Sequence, residues 1–206
     1  YKVFTAVQTE ISADGRMTGE ATVKCSGYAK RDRGTSWTKN KEEFKQKFFS
    51  IPDMSVNLDD IAVNNINSDS LPLEQKVKFN CTLNHSGEYT YFPVNIFSGI
   101  HKNPFISEQR ISDSEFGYLQ DYTIVENFII PEGYVIDAIP ENITLTLPDK
   151  SIVFSRFMAA NENKLNVRMT VEFKNSFYPV DLYEDFREFY KKLFSTLNEQ
   201  VVIKKK

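Results

Sequence analysis

The chain has 206 residues, with 25 Lys and Arg against 28 Asp and Glu, and its net charge is −3. Acidic and basic residues are interspersed, and the only basic run is Lys204-Lys205-Lys206 at the end of the sequence. Nucleic-acid binding needs a concentrated positive face, so this charge pattern argues against it. No apolar run approaches the roughly 20 residues that a transmembrane helix needs, so no membrane span is expected.

The composition favours strands. The chain contains 17 Phe and 10 Tyr, together with many Val, Ile and Thr, and these residue types fit a pleated surface. Its length suits one large β domain or two small ones with a proper core. The sequence opens directly on a strand-like Tyr1-Lys2-Val3-Phe4 and lacks an initiator Met, which favours a mature or excised piece of a longer protein.

The first 40 residues predict a long hairpin followed by a loop. Loosely alternating residues over 3–28 flank Asp14-Gly15, and Asp-Gly between two such runs is a strong hairpin signal. Gly19, within the second run, suggests a bulge or a close approach of another backbone. Residues 29–40 are polar and are predicted to form a loop.

A short helix is predicted over residues 41–50, with Thr38 or Asn40 as its cap. An extended segment over 54–65 follows. Runs over 73–83 and 89–97 then predict a second hairpin that turns at residues 84–87. The helix residues expected to face the core are Phe44, Phe48 and Phe49.

The second half predicts an irregular connector, several strands and one long helix. The connector covers residues 98–114. Apolar residues at helical spacing predict an amphipathic helix over 182–198, and Asp181 with Glu184 resembles a capping box at its start. The strands predicted after the connector cover residues 117–130, 135–140, 143–147, 152–159, 165–173 and 201–203.

These elements predict a mainly β fold: an antiparallel, β-sandwich-like architecture with one short helix and one long C-terminal amphipathic helix. A boundary in the connector would give an N-terminal subdomain over residues 1–102, which holds the short helix, and a C-terminal subdomain over 103–206, which the amphipathic helix closes. The connector is short, so two closely packed halves, or a single domain, are expected. The apolar stripe of the long helix is expected to cover a sheet of the same chain; docking to a partner is the alternative.

The second half also carries a family resemblance. The runs NPF, RIS, EFGY and IIPEGYVIDAIPENITL, the helix region FYPVDLYEDFREFYKKL and the closing VVIKKK resemble the C-terminal β module that follows the transglutaminase-like domain in multidomain Bacteroidetes proteins. The hairpin ISADGRMTGEATVKCSGYAKRDR extends this resemblance over nearly the whole chain. The resemblance implies an upstream papain-like domain that carries a catalytic Cys-His-Asp set outside this chain. It also implies a bacterial periplasmic or cell-surface setting, and it assigns no activity to the module.

No catalytic residue, metal site or cofactor site is predicted within the chain. Cys81 and His85 are four residues apart, but Cys81 falls on the apolar side of its predicted strand, and Cys25 lies in mid-strand. Buried thiols are therefore favoured over a cysteine nucleophile, and a Cys25–Cys81 disulfide stays open. Two Cys and two His without zinc-like spacing do not indicate a metal site, and no nucleotide-binding glycine motif is present.

The candidate contact residues for a ligand or partner are aromatic and basic. Trp37, beside Arg31 and Arg33, could stack on a sugar or grip a partner, and Tyr91 is a second aromatic candidate. The alternative is that Trp37 packs over the short helix, since large aromatic side chains are mostly buried.

The sequence leads to three hypotheses for the function of the chain. The leading one is a non-catalytic accessory or interaction module of a larger exported transglutaminase-like protein, packing on its catalytic domain. The alternative is a β-sandwich module that binds a glycan or peptide of the cell envelope. The third is a cysteine-dependent enzyme.

Overall fold

The structure is a computed structural model that describes residues 1–206. Strands hold 48% of the residues and helices 18%, which confirms the predicted mainly β class. The helices are α1 (Tyr28–Lys39), α2 (Lys41–Phe48) and α3 (Tyr183–Leu197), the last preceded by a 3₁₀ turn (Val180–Leu182). The strands are β1 (Lys2–Ile11), β2 (Arg16–Ser26), β3 (Val56–Asn64), β4 (Leu73–Thr82), β5 (Asn84–Ser86), β6 (Tyr89–Pro93), β7 (Ser114–Glu115), β8 (Asp121–Ile129), β9 (Tyr134–Ala138), β10 (Ile143–Thr146), β11 (Ile152–Asn161), β12 (Lys164–Phe173), β13 (Phe177–Tyr178) and β14 (Gln200–Lys205).

Eight strands form one large sheet in the order β10-β11-β12-β8-β1-β2-β4-β3. All neighbours are antiparallel except β1 and β8, which run parallel at the centre. Strands β1 to β4 come from the first half of the chain, and β8 and β10 to β12 come from the second. The two halves on either side of the predicted boundary at residues 102–103 therefore share one sheet through the β1–β8 pair.

A second sheet has the order β5-β6-β14-β9, and β13 pairs with β7 in a small third sheet. This arrangement corrects the predicted second hairpin. β4 pairs with β2 and β3 in the large sheet, whereas β6 pairs with β5 and β14. The predicted turn at 84–87 is displaced: residues 84–86 form β5, and the turn at Gly87 and Glu88 joins β5 to β6, because the chain leaves the large sheet after Thr82.

One face of the large sheet is covered and the other is open to solvent. Alternate residues along each central strand are buried, as in β1 and β12, whose burial pattern changes at every residue. The cover consists of α2, the residues around Phe92 and Phe97, and α3. Phe97 contacts both Phe79 of the sheet and Phe49 beside α2, with ring centroids 4.9 and 5.2 Å apart. The buried apolar residues form one continuous cluster that spans both halves of the chain.

The first hairpin forms as predicted, with β1 and β2 paired from Lys2–Ser26 to Ile11–Met17. Gly19 makes the predicted close approach. A Cβ atom at this position would lie 2.7 Å from the Gln8 carbonyl oxygen and 2.8 Å from the Phe79 ring. Any other residue at position 19 would therefore clash with the Phe79 ring where it now lies.

The predicted loop over residues 29–40 is wrong, because Tyr28–Lys39 forms the helix α1. Two short helices therefore precede the long one. Asn40 separates α1 and α2 and stabilises both: its own N–H donates to Ser36 at the end of α1, and its side-chain oxygen accepts from the N–H groups of Glu42 and Glu43. This capping of α2 by Asn40 is one of the two caps the sequence predicted.

Helix α3 matches the predicted amphipathic helix, and its apolar stripe is buried within the chain itself. The predicted capping box of Asp181 and Glu184 is wrong, since the helix has no side-chain cap at its start. A 3₁₀ turn leads into the helix, and the N–H of Val180 donates to the Asp113 carboxylate at 2.8 Å. The buried residues of α3 are Tyr183, Phe186, Phe189, Tyr190, Leu193, Phe194, Thr196 and Leu197.

Candidate functional site

The four contact residues predicted from sequence do not form one exposed surface. Arg31 is exposed on α1, while Arg33 on the same helix is buried. Trp37 is partly buried and packs edge-on against Phe44, with ring centroids 5.2 Å apart. Tyr91 lies in the second sheet, opposite Asn84 and Val202. Trp37 thus covers the short helix α2, in agreement with the alternative interpretation of this residue.

Arg33 is a buried cation without a carboxylate partner. Its side chain is 1% exposed, its Nη1 donates to Gln75 Oε1 at 3.0 Å, and its guanidinium lies 4.3 Å above the Phe48 ring. Its Nε has no hydrogen-bond partner. The neighbouring Asp32 pairs with Lys47 at 3.1 Å instead. Buried charges are normally paired, so an unpaired guanidinium marks this region as unusual.

A pocket of about 510 Å³ opens next to this region, between α2, residues 99–104, the β8–β12 end of the sheet and α3. Its volume falls in the usual range for small-molecule sites. Gly99 joins the pocket to Arg33: a Cβ at Gly99 would lie 3.4 Å from the Arg33 Nη2 atom. The lining residues include no Asp or Glu; they are Gln46, Lys47, Ser50, Gly99, Ile100, His101, Lys102, Pro104, Phe116, Gln120, Tyr122, Val171, Phe173, Tyr190, Leu193 and Phe194.

His101 is the most unusual polar group of this pocket. Both of its ring nitrogens are shielded from solvent and lack a hydrogen-bond partner. Burial, with a further contribution from the Arg33 charge, lowers the pKa of His101, so the ring is neutral at physiological pH. A neutral imidazole offers one N–H donor and one acceptor, and neither is satisfied within the chain.

Two tyrosines form part of the aromatic wall. The Tyr122 hydroxyl donates to Gln120 Oε1 at 3.0 Å. Burial raises the pKa of both Tyr122 and Tyr190 above the usual tyrosine value, so neither ring becomes charged near neutral pH. The aromatic wall therefore supplies apolar contacts and uncharged hydrogen-bonding groups. The positive charge near the pocket comes from Lys and Arg side chains.

Sequence reasoning missed this pocket because its residues come from distant segments. His101 and Lys102 lie in the irregular connector, which has no hydrophobic period that would place side chains on a face. Arg33 was singled out, but as an exposed contact on a loop. The sequence did not indicate that Arg33 is buried, because residues 29–40 contain no apolar residues at helical spacing.

Glu126 is a second buried polar group on the covered face of the sheet. Its side chain is fully buried, Oε1 accepts the Ile96 N–H at 3.0 Å, and Oε2 has no partner. Burial raises the pKa of Glu126 well above its usual value, and the bond from Ile96 only partly opposes this. The carboxyl group is therefore protonated in the folded chain at pH values where it would be ionised in the unfolded chain.

Replacing Glu126 with glutamine is expected to stabilise the protein increasingly as the pH rises above about 4.5. The wild type must take up a proton to fold above the unfolded pKa, so its stability falls as the pH rises towards the folded pKa, whereas glutamine titrates nowhere. The difference grows by at most about 1.4 kcal/mol per pH unit, the limit for one proton. Urea unfolding of both proteins between pH 5 and 8 measures it. A difference that is constant with pH would contradict a protonated Glu126.

The two cysteines are buried and unpaired. Cys81 lies opposite Met17 and Cys25 opposite Leu73, at opposite ends of the β2–β4 pair, so the disulfide left open by the sequence does not form. Burial raises the pKa of Cys81 to about 11 and also raises that of Cys25. Neither thiol has a histidine among its hydrogen-bond partners, and Cys25 accepts only from Gln75 at 3.4 Å. These features are typical of structural thiols.

Neither thiol is expected to react with iodoacetamide in the folded protein at pH 8, because both are shielded and protonated. Both are expected to react fully in urea. Mass spectrometry of the alkylated protein distinguishes zero from two added groups. Rapid modification of one thiol in the folded state would contradict this assignment and would reopen the possibility of a reactive cysteine.

The structure contains no group of three or more His, Cys, Asp and Glu side chains that could hold a metal ion. None of its helices combines the length and apolar character that crossing a membrane requires.

The fold and this pocket define a mainly β domain whose covered sheet and helix α3 enclose an aromatic, basic pocket. A family model described as "Domain of Unknown Function with solved-structure structure (DUF3858)" matches residues 88–203, more than half of the chain. The chain therefore belongs to the DUF3858 family, a domain of unknown function. No curated protein and no solved structure matches the chain. The matched region contributes all of the pocket lining except Gln46, Lys47 and Ser50.

Proposed function

We propose that the chain is a non-catalytic accessory module that packs against a transglutaminase-like catalytic domain of the same polypeptide. The observation that carries this proposal is the segment between β6 and β8. It is almost free of regular structure, yet it exposes three large apolar side chains: Ile106, Ile111 and Leu119 are 77%, 100% and 53% exposed. The three side chains lie on one connecting segment, and exposed apolar surface on such a segment favours an interaction site.

The chemistry of the chain is consistent with an accessory role. Its thiols are buried and protonated, and neither forms a hydrogen bond with a histidine. The sequence resemblance to the module that follows transglutaminase-like domains supplies the identity of the proposed partner. That resemblance covers the connector and the residues that follow it through α3. The exposed apolar side chains therefore lie in the region that resembles this module. The same resemblance supports a periplasmic or cell-surface setting in a bacterium.

The experiment is a triple substitution in the complete protein: Ile106→Ser, Ile111→Ser and Leu119→Ser. All three side chains are exposed, so the module itself is expected to fold normally. We expect faster proteolysis between the module and the catalytic domain, together with altered activity or stability of that domain. The matched control is Val135→Ser with Phe157→Ser, two exposed apolar residues on other surfaces. Deleting the whole module without any effect on folding, localisation and activity would refute the proposal.

The second candidate function is binding of an envelope glycan or peptide. The pocket beside Arg33 favours it, because an aromatic wall with a few unpaired polar groups is the usual composition of a binding site. Glycan-array and peptide-library binding, compared with a Tyr122→Ala variant that alters the wall, tests this function. Signals equal to background for the unaltered protein would exclude the glycans and peptides sampled.

A further inference from the structure

The positive charge of the buried Arg33 guanidinium is not neutralised by an ion pair. An isolated guanidinium in a protein interior is unfavourable unless charge or hydrogen bonds compensate it. Gln75 and the Phe48 ring compensate part of this charge. No carboxylate in the chain forms an ion pair with Arg33, since Asp32 pairs with Lys47. The interior beside Gly99 therefore retains a net positive charge.

The adjoining pocket has the same sign. Its lining contains no acidic residue, and its one unpaired charge is that of Lys102, since Lys47 pairs with Asp32 and the His101 ring is neutral. Lys102 has no ion-pair partner, and both nitrogens of His101 are unpaired. The lining also contains the aromatic side chains of Phe116, Tyr190 and Phe194. The pocket thus combines a group suited to an anion with a surface suited to an apolar group.

We propose that this pocket binds a small organic carboxylate with an apolar body. The carboxylate lies against residues 99–102, where Lys102 donates to it, the His101 ring lies beside it and Arg33, behind Gly99, supplies the compensating charge. The apolar body packs on the aromatic wall formed with α3. A pocket of about 510 Å³ accommodates an acid with one aromatic ring or a short peptide that ends in a free carboxylate. This site is independent of the proposed accessory function, because the exposed residues Ile106, Ile111 and Leu119 do not line it.

The first test uses the unaltered protein and three probes: 3-phenylpropionate, 3-phenylpropionamide and N-acetyl-alanyl-phenylalanine. The chain has only two histidines, and the exposed His85 is an internal control for His101. We expect 3-phenylpropionate to shift the NMR signals of the His101 ring in a saturable manner and to leave those of His85 in place. A His85→Gln variant assigns the signals. The neutral amide is expected to bind at least about tenfold more weakly, because it lacks charge-assisted hydrogen bonds.

The peptide probe identifies the source of the carboxylate. Tighter binding of N-acetyl-alanyl-phenylalanine than of 3-phenylpropionate would assign the site to peptide C-termini, and the reverse order would assign it to free organic acids. Both outcomes support the site. No shift at His101 with either carboxylate up to 10 mM (on the order of the weakest affinities of functional interest), or equal binding of acid and amide, would overturn it.

The second test is a pair of substitutions on one helix. Arg33→Met removes the buried charge at similar length, and Arg31→Met removes an exposed charge as its control. Calorimetry is expected to give at least about tenfold weaker binding for Arg33→Met, as for loss of one charged partner, and no change for Arg31→Met. Should Arg33→Met fail to fold, Lys102→Gln, at an exposed position, is expected to weaken the carboxylate and not the amide. Unchanged carboxylate binding in a folded Arg33→Met or Lys102→Gln protein would contradict the site.

Discussion

Replacing Arg156 with methionine is expected to lower the free energy of unfolding by about 3 kcal/mol, as for loss of a buried charged donor. Arg156 lies on the covered face of β11 and is 3% exposed. Its guanidinium donates to the Thr196 carbonyl at 2.6 Å, to the Glu141 carbonyl at 2.8 and 3.2 Å, and to the Glu199 carboxylate at 2.6 Å. Methionine preserves the volume and none of these bonds. Urea unfolding measures the loss.

The control for this substitution is Arg168→Met on the neighbouring strand β12. Arg168 faces solvent on the open side of the same sheet and is opposite Phe157 and Val125. Its replacement is expected to change the free energy of unfolding by no more than about 0.5 kcal/mol. Equal effects at the two positions would mean that Arg156 does not hold the end of α3. Faster proteolysis near residues 196–200 in Arg156→Met would locate the damage there.

Replacing Phe105 with alanine is expected to cost about 3–5 kcal/mol, the usual range for a buried phenylalanine. Phe105 is the buried anchor of the irregular connector. Its ring centroid lies 4.6 Å from that of Phe186 and 4.6 Å from that of Tyr190, both on α3. Its loss leaves a cavity between the connector and the helix. Thermal and urea unfolding measure the cost.

The adjacent residue is the matched control. Ile106→Ala removes a large apolar side chain that is 77% exposed, so its expected cost lies within about 0.5 kcal/mol. A similar cost at both positions would show that Phe105 is not a packing anchor. The same pair separates the two roles of the connector, since only Ile106 belongs to the proposed interaction surface.

Local patterns in the sequence predicted the regular elements well. The first hairpin, the Asn40 cap of α2 and the helix α3 each depend on neighbouring residues: Asp14-Gly15 at a turn, an Asn side chain before two Glu, and a stripe at helical spacing. Helix α1 was missed because it lacks such a stripe. It buries only Ala29, Arg33 and Gly34, and tertiary packing of Arg33 on Gln75 and Phe48 replaces the missing pattern.

Strand pairing and the pocket depend on long-range placement, which one sequence does not contain. β4 and β6 look like the arms of a hairpin, but Leu83 ends the pairing with β2 and the chain crosses to the second sheet. The pocket brings α2, the connector, β8 and α3 together from positions far apart in the chain. The hydrogen bond from Val180, in the 3₁₀ turn before α3, to Asp113 is another such contact, and the local capping box that the sequence suggested does not form.

The parallel pairing of β1 with β8 has a consequence for the order of folding. Strand β1 is made first, yet its partner Asp121–Ile129 follows only after more than a hundred residues. During synthesis, β1 to β4 can assemble early, but one edge of β1 then stays unpaired, and an unpaired strand edge favours aggregation. Because contacts between distant segments form slowly, we expect the pairing of β1 with β8 to limit the folding rate. A chain released before residue 129 would expose that edge permanently and depend on chaperones to remain soluble.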